Sequence, residues 1–379
     1  MQPGLIRYLF VLLAFISACR NEKPVSVNQA APGNKYAVRF RIDTIGQVKK
    51  LTVFDPWQGA KDVRQVTWLV PEDMKPPVGI EEGEIIGIPV RKIVCMSTTW
   101  LSMISALGCE STVKGVSGSD LVYSESYRAM LEKGEISDVG FEDNLNKELI
   151  VRISPDVIIN YGIGSESSGY ISKVREMGFK TLFFADYLET DPLARAEWIK
   201  VFGILLGKEE QADSIFNGIV DSYNELKDRI SRSVKGRPTV LLGLPWKDTW
   251  YVSPGNSFMS KLIHDAGGEY IWSDKTSEIS MPFGIEAVYV RAMKADYWLN
   301  ISTVSDRNEI TAVDKRLSDF PAYKTGNMFN NNLRITSRGG NDYWESGTIV
   351  PHLILADLVS ILHPDLLPRH ELYYYRKVK

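Results

Sequence analysis

The chain has 379 residues, 44% of them hydrophobic and 24% charged, with 44 Lys and Arg against 47 Asp and Glu. That length can build two cores, and the composition is that of a folded globular protein. With a formal charge of −3, nothing in the chain resembles the basic surface of a nucleic-acid-binding protein.

In chain order, the first signal is a leader. Arg7 precedes an apolar run over 8–16, and Ser17-Ala18-Cys19 comes next. A basic residue, a short apolar core and small residues predict a secretory signal peptide over 1–18, too short to span a bilayer comfortably. Ile16-Ser17-Ala18-Cys19 resembles a bacterial lipobox, which implies cleavage before Cys19 and lipidation of its sulfur. Residues 19–35 are polar, carry Pro24, Pro32 and Gly33, and read as a tether.

Residues 36–89 alternate apolar and polar in the β manner and predict a small antiparallel addition packed on the first lobe. From 90 the pattern becomes strand–helix alternation, which argues a mostly parallel sheet and an α/β lobe over 90–190. Strands are expected at 91–96, 113–116, 156–160 and 181–184, with helices at 100–107 and 127–133. Region 191–236 is helical. One helix is expected at 192–206, capped by Thr190 or Asp191 and stopped by Gly207, and a second at 209–231, about 35 Å long. The second helix reads as a spine between two halves. The alternation then resumes over 237–379, with strands at 240–244 and 297–301 and helices at 258–266, 286–293 and 349–362. The fold class is therefore α/β: two Rossmann-like lobes joined by one long backbone helix, with a small N-terminal β addition. The tail Tyr373-Tyr374-Tyr375 reads as packed or frayed.

One sentence of sequence occurs twice. Glu148-Leu-Ile-Val-Arg-Ile-Ser-Pro-Asp-Val-Ile-Ile-Asn160 and Glu286-Ala-Val-Tyr-Val-Arg-Ala-Met-Lys-Ala-Asp-Tyr-Trp-Leu-Asn300 start 138 residues apart. Each has a glutamate, a short helix, an Asp and an apolar strand ending in Asn. The second copy is two residues longer and lacks the proline. Such internal repetition suggests two similar lobes.

Of the cysteines other than Cys19, Cys95 falls in a strand and Cys109 beyond a helix. Buried small hydrophobes and a disulfide both remain open for them. Four scattered histidines form no metal-spaced cluster, and no resident cofactor is expected. His264 falls in a helical apolar pattern and reads as structural. There is no glycine-rich phosphate loop or nucleophile elbow, so binding rather than catalysis is expected. The rival from another class is an enzyme that processes a metal tetrapyrrole or chelate on a two-lobed fold.

Several phrases occur in a telling order. They are Arg91-Lys-Ile-Val-Cys-Met-Ser-Thr-Thr-Trp-Leu-Ser-Met-Ile-Ser-Ala-Leu-Gly108 with Val113-Lys-Gly-Val116, then Ile153-Ser-Pro-Asp-Val-Ile-Ile159 and Leu206-Gly-Lys-Glu-Glu-Gln-Ala212. Ser257-Phe-Met-Ser-Lys-Leu-Ile-His-Asp-Ala-Gly-Gly268 and Leu362-His-Pro364 complete the series. From about 89 to 367 the chain resembles periplasmic substrate-binding proteins of ABC importers, in the helical-backbone class that carries iron–siderophores, haem and cobalamin. The resemblance implies a ligand between two lobes, and one surface glutamate per lobe that docks on arginines of the membrane permease. Those positions fall on Glu148 and Glu286. Otherwise both read as solvated residues near helix N-termini.

Ligands of α/β sheets gather at the carboxyl ends of strands. The loops there offer Trp100, Tyr123, Tyr187, Trp246, Trp250, Tyr343 and Trp344 as a ligand-binding lining. The alternative for each is packing, evenly balanced for Trp250 and Trp344, while Trp100 is better placed at a strand-to-helix turn. Aromatic faces suit a bulky organic ligand, and Arg338 could pair with its carboxylate. The expectation is a monomeric receptor in the cell envelope, lipid-anchored through Cys19 and facing the periplasm. It would pass an iron chelate of siderophore type to the permease. A corrinoid or haem ligand is the alternative.

Overall fold

The computed structural model describes residues 30–80, 82–141, 144–162 and 174–379. The leader and Cys19 lie outside the described residues.

The N-terminal addition is a sheet of β1 (Phe40–Ile45), β2 (Val48–Phe54), β3 (Arg64–Pro71) and β4 (Glu84–Ile88) in that order. The first three strands are antiparallel, as the alternation predicts, but β4 runs parallel to β3. The connection between them crosses instead of turning back. Phe40, Leu51, Val53, Leu69 and Ile86 put the apolar face into the main core of the molecule. Two carboxylates tie down the segment that leads in. Glu197 accepts the backbone N–H groups of Lys35, Tyr36 and Ala37 at 2.8–2.9 Å. Glu189 accepts those of Val38 and Arg39, at 3.1 and 2.9 Å.

The first lobe contains β5 (Ile93–Cys95), α1 (Leu101–Ala106), β6 (Val113–Val116), α2 (Glu125–Glu132), β7 (Ser137–Asp138), α3 (Lys147–Ile153), β8 (Val157–Asn160) and β9 (Thr181–Phe183). All pairs are parallel, in the order β7-β6-β5-β8-β9. Edge strand β9 is covered by side chains of the addition. Gln65 donates to the Thr181 carbonyl at 2.9 Å and accepts the Phe183 N–H at 2.9 Å, and Glu84 accepts the Thr181 N–H at 2.8 Å. These contacts occupy backbone groups that an open edge would expose. Cys95 is buried, Cys109 is partly exposed, and both are free thiols.

The expected helix at 192–206 is two segments, α4 (Pro192–Glu197) and α5 (Ile199–Leu205), parted at Trp198. The chain tightens there into i→i+3 bonds, Trp198 N–H to Arg195 O and Val201 N–H to Trp198 O. The Trp198 indole packs between Phe40 and Phe184, with ring centroids 4.7 and 4.9 Å away. Asp191 caps α4 by accepting the Leu193 N–H.

The spine α6 (Glu209–Ser233) has 25 residues and spans about 37 Å. Its buried stripe is Ala212, Phe216, Ile219, Val220, Tyr223 and Ile230. Gly203 lets α5 approach it, because a Cβ there would sit 2.6 Å from that of Ala212. Tyr223 fastens the spine to the second lobe by donating to Asp265 at 2.9 Å.

The second lobe holds β10 (Thr239–Leu242), β11 (Thr249–Val252), α7 (Phe258–Asp265), β12 (Glu269–Tyr270), β13 (Met281–Gly284), α8 (Ile285–Ala292) and β14 (Tyr297–Leu299). It continues through α9 (Arg307–Val313), α10 (Pro321–Thr325), β15 (Met328–Asn330), α11 (Asp342–Glu345), α12 (Pro351–Leu362) and β16 (Arg376–Lys377). The sheet order is β12-β10-β14-β15-β16, with only β16 antiparallel, and β11 and β13 form a separate hairpin. The tyrosine tail is packed. Buried Asp357 accepts the N–H groups of Tyr373, Tyr374 and Tyr375 and bonds the His370 ring at 2.6 Å.

Candidate functional site

Loops at the carboxyl ends of the two parallel sheets meet at one junction. On one side the lobes touch along a polar seam. The Glu345 carboxylate, 3% exposed, accepts the backbone N–H groups of Tyr123 at 2.7 Å and Ser124 at 3.0 Å. Ser102 Oγ donates to the Glu345 carbonyl at 2.7 Å. Arg338 meets Asp120 at 3.0 Å on the surface. Burial pushes the Glu345 carboxyl up to about 7, against the pull of the two N–H groups.

Deeper in the junction stands a half-buried arginine. Arg195, on α4, donates from Nε to the Glu189 carbonyl at 3.1 Å and from Nη2 to the Tyr187 carbonyl at 2.8 Å. Its guanidinium lies 3.9 Å from the Phe258 ring centroid. Among the described residues no carboxylate stands within ion-pair distance of it. Burial lowers its pKa, and Asp186 nearby opposes that shift. Asp186 is itself buried, its carboxyl is raised by desolvation, and it accepts the Trp100 indole N–H at 3.0 Å. A cation drawn away from water without a contacting anion is costly, and it favours the arrival of an anionic group.

The expected lining divides. Trp246 and Trp344 are 63% and 54% exposed, and Lys247 lies 4.4 Å over the Trp246 ring. Tyr123 is half-buried, with the Arg334 guanidinium 5.2 Å from its ring. Tyr187 donates its hydroxyl to the Gly162 carbonyl and accepts the Gln58 N–H at 3.1 Å, and burial pushes it up to about 12. Tyr343 is buried and donates to Met259 Sδ at 3.1 Å. Trp100 is buried on Asp186.

One expectation is corrected. Trp250 lines no cleft: it is fully buried, donates to the Leu242 carbonyl at 3.0 Å and stacks on Trp298 at 6.0 Å. Strand alternation turns Tyr251 outward and Trp250 into the core. Arg338 pairs with Asp120 at 3.0 Å, and both side chains are exposed. Arg195 and Glu345 were not singled out by sequence pattern. A cation between Leu193, Ala194, Ala196 and Trp198, all buried, was the available signal for the first.

Glu148 and Glu286 are both exposed in the first turns of α3 and α8. Glu148 has no side-chain partner among the described residues. Glu286 is paired with Arg316 at 3.1 Å. Its carboxyl lies below its ordinary value, through its own backbone N–H first and Arg316 second.

A family model described as periplasmic binding protein matches residues 93–330, from the first residue of β5 to the last of β15. The β addition lies outside that match. An uncharacterized lipoprotein of Methanocaldococcus jannaschii is 29% identical over 318 residues, covering 81% of this chain and 73% of its own. A second from the same organism is 26% identical over 326 residues, covering 82% and 79%. Among solved structures, a periplasmic heme binding protein from Pseudomonas aeruginosa aligns with TM-score 0.55 at 18% identity, over 73% of this chain and 93% of that one. A possible iron-binding periplasmic solute-binding protein from Staphylococcus epidermidis aligns with TM-score 0.56 at 15% identity, over 73% and 99%. At such identities the likeness speaks for the fold.

Proposed function

The chain belongs to the periplasmic binding protein family, and from that premise we propose that it is the receptor lipoprotein of an ABC importer for an iron chelate of siderophore type. Members of the family bind solutes and are not enzymes. The observation that carries the ligand reading is Arg195, a half-buried cation at the lobe junction with no carboxylate in contact among the described residues, suited to an anionic oxygen of a chelate. Trp246 and Trp344 offer exposed aromatic surface for its organic part. Lipid on Cys19 would hold the receptor at the membrane, and Glu148 and Glu286 would set its register on the permease. Single exposed ion pairs are worth only ~0–1 kcal/mol, but one per lobe fixes orientation.

Calorimetric titration with a ferric siderophore, haem and cobalamin tests the reading. Stoichiometric binding of the siderophore without chemical change is expected. Tight binding of haem or cobalamin alone transfers the role to that ligand, and binding of none of the three refutes a chelate receptor. Arg195→Gln is expected to weaken an anionic chelate about tenfold or more, which is about 1.4 kcal/mol.

A further inference from the structure

The β addition lies outside the family match, yet its β2–β3 loop sits on the ligand side of the first lobe. The loop is closed at its base: Asp55 N–H donates to the Val63 carbonyl at 2.8 Å, and Val63 N–H to Asp55 Oδ1 at 3.1 Å. Its tip rests at the carboxyl ends of β8 and β9. Gln58 N–H reaches the Gly162 carbonyl at 3.2 Å, and the Trp57 ring lies 5.5 Å from that of Phe183. From the same loop Lys61 reaches Glu278 of the second lobe at 4.0 Å.

Under the loop is a cavity of about 570 Å³, within the range of small-molecule sites. Trp57 and Phe54 are among the residues that line it, and the Arg41 and Arg64 guanidinium groups lie 6.0 and 5.8 Å from the Phe54 centroid. Its charges are largely balanced within the protein. Arg39 pairs with Asp55, Arg41 with Asp43 and Lys61 with Glu278. A free anion therefore gains little there, whereas flat π and guanidinium surfaces favour stacking.

We propose that this cavity is an aryl subsite, which receives an aromatic arm of the ligand held between the lobes. The inference rests on the chelate-receptor reading for the source of the arm. The matched probes are the ferric complexes of benzohydroxamate and acetohydroxamate, which share their chelating groups and differ in the aryl arm. The full-length protein is expected to bind the benzohydroxamate complex at least tenfold more tightly. Trp57→Ala, and separately a variant with 57–61 replaced by Gly-Gly, are expected to bring that ratio close to one while keeping the wild-type circular dichroism. Equal binding of both complexes by the wild type, or a preference that survives in both variants, overturns the subsite. Binding of neither complex counts against the iron-chelate reading, and iron-free benzohydroxamic acid then decides the subsite separately. A shift of the Trp57 indole NMR signal supports it, and no shift overturns it.

Discussion

The two repeated units, α3–β8 and α8–β14, share the order helix, Asp, strand and Asn, and differ in their helix ends and surroundings. In each, the Asp before the strand ties down the start of the lobe's first strand. Asp156 accepts the N–H groups of Arg91 and Lys92 at 2.7 and 2.9 Å. Asp296 accepts the Thr239 N–H and hydroxyl, both at 2.8 Å. In each, the closing Asn, Asn160 or Asn300, has a buried Oδ1 without a partner among the described residues. The helix ends differ. Ser154 turns left-handed at φ +49° before Pro155, while α8 runs out through Met293 without a proline. The glutamates differ most, since Glu148 is free among the described residues and Glu286 is held by Arg316. Duplicated sequence thus preserves what the strand needs and leaves the outer surface free to diverge.

The largest expected effect breaks the symmetry of the glutamates. Glu148→Arg should abolish chelate uptake in cells while leaving the calorimetric affinity unchanged; normal uptake would remove Glu148 from docking. Next in size, Asp156→Ala and Asp296→Ala should each destabilise the fold by about 1–2 kcal/mol in urea titrations, because each strands backbone donors. A large difference between the two would show that the shared Asp has unequal roles.

Two buried glutamates, Glu345 in the seam between the lobes and Glu189 under the segment that leads into the β addition, give a pH test. Glu345 and Glu189 are both raised by burial to about 7, above the ordinary glutamate value. Between about 4.5 and 7 the folded state therefore holds more protons than the unfolded one, so their contribution falls as pH rises through that window. Glu345→Gln should flatten the decline in melting temperature across it. The smallest effect is expected from Arg316→Ala, within about 0.5 kcal/mol of wild-type stability. It releases Glu286, and uptake should be at least as fast as in the wild type.

The spine, the lobes' alternation and the β addition were legible because periodicity and turn residues are local properties. The break at Trp198, the parallel β4 and the β11–β13 hairpin were not, since they depend on what packs against them. Trp250 shows the limit at the site: its loop position suggested a cleft residue, and strand alternation buried it.

By itself the sequence determined the α/β class and the two-lobed order, through patterns spanning a few turns. Only the tertiary structure decided which charges are engaged and which are free. Arg338 finds Asp120 218 residues away, and Glu345 finds Tyr123 222 residues away. Pairing and burial are set by such distant neighbours, and that is why Arg195 emerged as the half-buried cation of the junction only once the lobes were brought together.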